Sequence, residues 1–308
     1  MNNSLFDQLQ WSSVSTDSWQ ISDHCSCDVL RLDKIHPLVS GNKWFKLKNY
    51  ITLANQNKFS TLISFGGAYS NHLLALAYSA RDSKLASVGI VRGEPGLHSS
   101  PTLDQARSLG MEIEFISREQ YRSKDEAGFA SQLHARWKNA LIIPEGGYGA
   151  TGAAGAAEIA ELAAFTRYSH IVCAVGTGTM MAGLMNASTQ NQIVTGISVM
   201  KGNHALADQV RRLLKHPAME PSILHEFHFG GYAKYNAELI AFMNELYQRS
   251  GIPTDIVYTA KLFFATRALI QQNAIPHNSK VLLIHSGGLQ GNSSLDKSLL
   301  LFNDEAGQ

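Results

Sequence analysis

Short apolar runs alternate along the chain with longer stretches of helical periodicity. Residues 28–32 (DVLRL), 61–65 (TLISF), 87–92 (SVGIVR), 112–116 (EIEFI), 141–143 (LII), 171–175 (IVCAV), 194–199 (VTGISV) and 281–285 (VLLIH) are β-branched or apolar. Several end in Gly or Ser, as a strand does on entering a turn. Between them, 43–56, 71–81, 152–165 and 261–273 carry a helical pattern. In the first of these Trp44, Leu47 and Ile51 share one face and predict its buried stripe. Strands alternating with helices predict an α/β fold with parallel sheets covered on both faces. The 308 residues suffice for about two domains. The glycine- and alanine-rich stretch 145–155 (EGGYGATGAAG) is the expected soft boundary between them.

Composition narrows the partners. The 26 lysines and arginines against 25 acidic residues leave a formal charge of +1, so no net field draws in nucleic acid or acidic membrane. Three cysteines cannot make a disulfide framework in a chain this long. The N-terminus, MNNSLFDQLQ, has no basic stretch leading into an apolar core, and no run approaches 18 apolar residues. The expectation is a soluble, cytoplasmic protein of a reducing compartment.

Ligands of such sheets bind beyond the carboxyl ends of strands, so the strand-to-helix turns are where chemistry is expected. Residues 176–183 (GTGTMMAG) leave backbone N–H groups open at a helix start, where they can hold a phosphate. The spacing is not that of a dinucleotide fingerprint. No acid follows the next strand at Val199-Met200-Lys201, and no Gly-Lys-Ser/Thr is present. By itself the loop reads more readily as a tight turn under a packed helix. Residues 66–72 (GGAYSNH) place Ser70 and Asn71 to cap a helix, or to meet a carboxylate together with His72. Residues 40–48 (SGNKWFKLK) put Lys43 and Lys46 near a helix start, an odd place for cations. They read either as solvated lysines or as an amine beside a cleft that loses its proton and forms a Schiff base. Residues 285–288 (HSGG) end the last strand, and Tyr232 and Tyr258 stand beside turn signals. His24-Cys25-Ser26-Cys27 lacks a second ligand pair, so no metal is expected. Cys173 and His285 read as core residues.

Taken in order, Gly41-Asn42-Lys43-x-x-Lys46-Leu47, Gly66-Gly67-x-x-Ser70-Asn71-His72, the Gly/Thr loop, Val257-Tyr258-x-x-Lys261 and His285-Ser286-Gly287-Gly288 resemble fold-type II pyridoxal-phosphate enzymes. More narrowly, they resemble the branch holding D-cysteine desulfhydrase and 1-aminocyclopropane-1-carboxylate (ACC) deaminase. The resemblance runs from about residue 28 to residue 292.

The resemblance implies pyridoxal 5'-phosphate as cofactor, with Lys43 as the Schiff-base lysine and Lys46 as a neighbouring charge. The backbone of Thr177, Gly178, Thr179 and Met180 would hold the phosphate. Asn71 would bond the phenolic oxygen, and Ser286 would face the ring nitrogen. Ser70, Asn71, His72 and Thr259 would meet substrate; Ser70 and His72 would bind its carboxylate or relay a proton. Tyr258 and Tyr232 would flank it, Tyr258 being the closer match.

ACC deaminases resemble Val-Tyr-Glu with His-Leu-Gly-Gly, their Glu contacting the pyridine nitrogen, whereas this chain has Thr259 and Ser286. A ring nitrogen without a carboxylate is a shallower electron sink and suits prompt β-elimination. D-cysteine, giving pyruvate, ammonia and sulfide, is therefore the expected substrate. An ACC-like amino acid, serine or β-chloroalanine is the alternative. A carrier or sensor of the cofactor, and a nucleotide-linked oxidoreductase, rank below. Trp44-Phe45 replace the family's usual Arg, and 202–228 is short. The expected fold, similar to that of tryptophan synthase β, has a large domain of 1–47 with 149–308 and a small inserted domain of 48–148. A homodimer binding a small amino acid, with no nucleic acid or membrane partner, completes the expectation.

Overall fold

The computed structural model describes residues 9–22, 25–94, 100–276 and 278–302. In chain order the elements are β1 (Thr16–Ser22), β2 (Cys25–Arg31), α1 (Asn42–Gln56), β3 (Thr61–Gly66), α2 (Asn71–Asp82), β4 (Ala86–Arg92) and α3 (Pro101–Ser108). Then follow β5 (Met111–Ile116), α4 (Arg118–Arg122), α5 (Ala127–Arg136), β6 (Ala140–Ile142), α6 (Ala150–Ala157), β7 (His170–Val175) and α7 (Thr179–Ala187). The chain closes with β8 (Ile193–Ser198), α8 (Leu206–Arg211), β9 (Ser222–Leu224), α9 (Ala237–Ser250), α10 (Thr259–Gln271) and β10 (Val281–His285). Two sheets result, of order β1-β2-β10-β7-β8-β9 and β5-β4-β3-β6. Every pairing is parallel except the hairpin of β1 on β2.

Alternation along the strands explains the layers. In β10, Leu282 and Ile284 enter one core, while Val281 and Leu283 enter a second on the opposite face. In β3, Leu62 joins the first of these cores, and Ile63 and Phe65 form a third. The first core is thus shared between the two sheets. Strands buried on both faces are continuously apolar, which is why they stood out in the sequence.

Eight strands fall where the hydrophobic runs predict them. β1 and β9 were not foreseen: they are sheet edges, and TDSWQIS, with Trp19 packed on Phe263 at 4.9 Å between ring centroids, has too few apolar positions to register. The helix expected over 152–165 ends at Ala157 and continues as a 3-10 turn over Glu158–Leu162. The four-stranded sheet draws only on residues 61–142. The expected boundary after residue 47 falls within the continuous helix α1. The stretch 145–155 is also not a slack linker. It enters α6, whose glycines let α1 and α7 approach: a Cβ on Gly155 would lie 1.9 Å from the Phe45 carbonyl oxygen. Among the described residues no helix is long and apolar enough to cross a membrane.

Alanine is the better helix former, yet Gly155→Ala is expected to lower stability by about 1–3 kcal/mol, because the added methyl forces α1 and α6 apart. Chemical denaturation measures this; a variant as stable as the parent would show that the interface yields.

Candidate active site

The carboxyl ends of both sheets face one cavity of about 540 Å³, walled by the loops after β3, β4, β6, β7 and β8. A small inner pocket opens beside it, lined by Lys43, Lys46, Thr177, Gly178, Tyr258 and Ser286 among others.

Helix α1 is docked to the end of β10. Gly41, at φ +78°, runs so close that a Cβ would fall 1.8 Å from the Ser286 carbonyl oxygen, and the Asn42 N–H donates to that oxygen at 3.2 Å. This contact sets Lys43 in the first turn, its Nζ donating to Asn42 Oδ1 at 2.8 Å and standing 5.5 Å from the Tyr258 ring centre. Burial draws the Lys43 amine down to about 8, against the opposing pull of Asp255. One turn on, Lys46 is 5% exposed. Burial, and then the charge on Lys43, hold it well below the ordinary lysine range. Burial thus lowers the proton affinity of both lysines at this helix start, where the dipole also opposes cations.

After β3, Ser70 caps α2 by accepting from the Leu73 N–H at 3.3 Å, which leaves its proton free to be donated. Asn71 Nδ2 donates to the Gly288 carbonyl at 3.3 Å, while its Oδ1 is buried without a partner. His72 is buried on the cavity wall. Ser64 gives its one proton to the Ile143 carbonyl at 2.8 Å, so it accepts from His72 Nε2 at 2.9 Å. His72 Nδ1 is then a bare acceptor, and it too lacks a partner. Burial first, then Lys43 and Lys46, push the imidazole down to about 3. The expected role of His72 toward a carboxylate or a proton thus falls to its backbone N–H and to Nδ1, since the ring's own N–H is committed. A neutral ring with its N–H already committed offers a carboxylate nothing.

After β7, Gly178 takes φ +82° just ahead of α7; a Cβ there would meet Val210 Cγ2 at 2.7 Å. The hydroxyls of Thr177 and Thr179 bond each other at 3.0 Å, which commits one of their two protons, and the turn also presents backbone N–H groups at the helix start. Thr179 itself is fully buried. On the far wall Tyr258 stands against Tyr232, ring centres 6.0 Å apart at 78°.

Thr259 is placed elsewhere than expected. It is fully buried and absent from the cavity wall; its hydroxyl donates to Asp255 Oδ1 and accepts from the Asp255 N–H, each at 2.7 Å. The remaining candidates, Lys43, Ser70, Asn71, His72, Thr177, Gly178, Met180, Tyr232, Tyr258 and Ser286, line the two connected spaces.

Sequence reasoning missed Asp255, which gathers the backbone N–H groups of Val257, Tyr258 and Thr259 at 2.9–3.0 Å. An Asp four residues before a helix-opening Thr was the available signal. It also missed the cavity arginines Arg92 and Arg212. Cys173 and His285 are core residues: burial drives the thiol up to about 12, and His285 is held by the Pro253 carbonyl at 2.7 Å and Asp33 at 3.2 Å. His24 lies outside the described residues, among which no three metal-ligating side chains cluster.

A phosphorylated aldehyde fits these groups. An amine of lowered basicity faces the cavity, a second lysine and open N–H groups surround the inner pocket, and two buried polar atoms at the wall await partners. A family model, pyridoxal-phosphate dependent enzyme, matches residues 18–287. The chain belongs to this family. A Thermotoga maritima protein provisionally named 1-aminocyclopropane-1-carboxylate deaminase is 30% identical over 284 residues, 85% of this chain and 88% of that one. The bifunctional D-cysteine desulfhydrase/1-aminocyclopropane-1-carboxylate deaminase of Arabidopsis thaliana is 27% identical, over 82% of this chain and 70% of its own. In structure, an ACC deaminase homologue superimposes with a TM-score of 0.80 at 23% identity, covering 96% of this chain and 93% of that one. This pyridoxal-phosphate-dependent enzyme is thus of the ACC deaminase and D-cysteine desulfhydrase family, with the parallel α/β fold of its relatives.

Two titrations follow from the geometry. Covalent attachment of pyridoxal phosphate to cofactor-free protein is expected to quicken as pH rises through about 8, where Lys43 loses its proton. A rise only above pH ~10, the ordinary lysine range, would show an unperturbed amine. Nitrogen-15 NMR is expected to find His72 as a single Nε2–H tautomer that does not titrate between pH ~5 and ~8. A shift across that window would contradict the assigned bonding.

Proposed function

We propose that this enzyme eliminates the β-substituent of a small amino acid, D-cysteine foremost. The reaction D-cysteine + H₂O → pyruvate + NH₃ + H₂S balances in atoms and charge. Bound pyridoxal phosphate supplies a carbonyl for the amine and a sink for the Cα electrons. The observation that carries the choice is the inner pocket: among the described residues no carboxylate lines it, and Ser286 is on its wall. A hydroxyl cannot keep a pyridine nitrogen protonated as a carboxylate does, so electron withdrawal is weaker and a good leaving group is needed.

The protein's own groups then divide the work. Lys43 holds the cofactor covalently and, once freed, its Nζ takes the α-proton; a base that titrates near 8 is matched to neutral pH. Lys46 and the backbone N–H groups of 177–180 hold the phosphate. Ser70 donates its hydroxyl proton to the substrate carboxylate, joined by the open N–H groups of Asn71 and His72 at the start of α2. Asn71 Nδ2 has a second proton for the phenolic oxygen. Tyr258, whose burial holds its hydroxyl well above the usual range, stays protonated and serves as a donor to the departing sulfur. Tyr232 closes the same wall.

Purified enzyme is to be assayed with D-cysteine, L-cysteine, D-serine and ACC, following sulfide, pyruvate and 2-oxobutyrate. Sulfide and pyruvate from D-cysteine are expected to dominate. 2-Oxobutyrate from ACC without sulfide from D-cysteine would overturn the substrate assignment and select the deaminase. Lys43→Ala is expected to abolish both turnover and borohydride-fixed attachment of the cofactor. Lys46→Ala is expected to keep attachment but weaken cofactor binding about tenfold or more, the worth of a hydrogen bond to a charged group. Turnover by folded Lys43→Ala would sink the assigned chemistry.

A further inference from the structure

Lys261 is fully buried yet lies outside the cavity wall. Its Nζ donates to the Gly231 carbonyl at 2.7 Å, joining the Lys234 N–H, which donates to the same oxygen at 3.1 Å. The carbonyl belongs to a strained turn. Phe229 (φ 50°), Gly230 (φ 94°), Gly231 (φ 121°) and Ala233 (φ 54°) all take positive φ, which two of them, Phe229 and Ala233, disfavour. That turn carries Tyr232 into the cavity, where its ring stands against that of Tyr258, centres 6.0 Å apart.

Lys261 also sits in the first turn of α10, three residues after Tyr258, where the helix dipole disfavours a cation. An apolar side chain would fill the same volume without desolvating a charge. What an apolar side chain could not do is hold the strained carbonyl.

We infer that Lys261 is a positioning residue: its ammonium ties the 229–233 turn to the start of α10 and so fixes Tyr232 against Tyr258 at the cavity. Asp255 supports it electrostatically against burial, and the group, drawn down to about 8, carries its charge at neutral pH. The inference rests on the proposed function only where turnover is read.

The first test needs no cofactor or substrate. Hydrogen exchange of cofactor-free protein at pH 7 is expected to show amides 230–235 exchanging at least tenfold faster in Lys261→Met than in the parent, with α9 and the larger sheet unchanged. Lys261→Gln, which retains a donor, is expected to fall between them and serves if the Met variant does not fold. The second test is a cycle on D-cysteine turnover. Lys261→Met and Tyr232→Ala are each expected to lower kcat/KM, and the pair no more than Tyr232→Ala alone. Unchanged exchange at 230–235 in both variants, or losses that multiply independently, would overturn the role. An inactive parent enzyme would count against the proposed function and leave the exchange result to decide the role of Lys261.

Discussion

Asp255 is fully buried, and the walls of the cavity depend on what its carboxylate gathers. Oδ1 takes the Thr259 N–H at 2.9 Å and its hydroxyl at 2.7 Å; Oδ2 takes the N–H groups of Val257 and Tyr258 at 2.9 and 3.0 Å. A carboxylate among that many donors fixes the entry angle of α10 and hence the direction of Tyr258. Asn292 clamps the same segment from the other side, accepting from the Ile256 N–H at 3.1 Å and donating to the Thr254 carbonyl at 2.9 Å. The charge reaches further than the bonds. It is the favourable influence on both Lys43 and Lys261, two amines that burial would otherwise drive lower still. One buried anion thus serves the backbone of one wall and the proton affinity of two amines, Lys43 at the cavity and Lys261 outside it.

The legible part of this protein was its apolar part. Strands buried on both faces announce themselves, as do Gly-rich turns and the sequence order of Lys43, Ser70-Asn71-His72, the Thr177 loop, Tyr258 and Ser286. What stayed hidden depends on which atom a side chain spends on a neighbour. Thr259 was expected to meet substrate, but no pattern reveals that its hydroxyl turns inward to Asp255. His72 invites a role as acid or carboxylate ligand until Ser64, eight residues earlier and on another element, is seen to consume its N–H. Edge strands failed for a different reason: β1 buries too few of its seven residues to carry a hydrophobic signal.

Glycine has two separate uses here. At Gly41 and Gly178 it supplies a positive φ at the two helix starts that face the inner pocket, so each backbone approaches at an angle that a Cβ would forbid. At Gly155 the φ is ordinary and the requirement is proximity alone, with α6 lying against the carbonyl of Phe45 on α1. The same residue type therefore builds a binding surface at one end of α1 and a packing surface along its flank.

The larger sheet has an order with a temporal side. β10, the last strand among the described residues, lies between β2 and β7, which precede it by more than 100 residues in the case of β7 and by nearly the whole chain in the case of β2. A chain emerging N-terminus first therefore exposes two unjoined strand edges until residues 281–288 arrive, and only their arrival brings Ser286 to Gly41 and Gly288 to Asn71. Pairings of such separation form slowly. Whatever guards the nascent chain must cover the β2 edge from residue 31 and the β7 edge from residue 175 until β10 arrives, and the pocket comes into being only then.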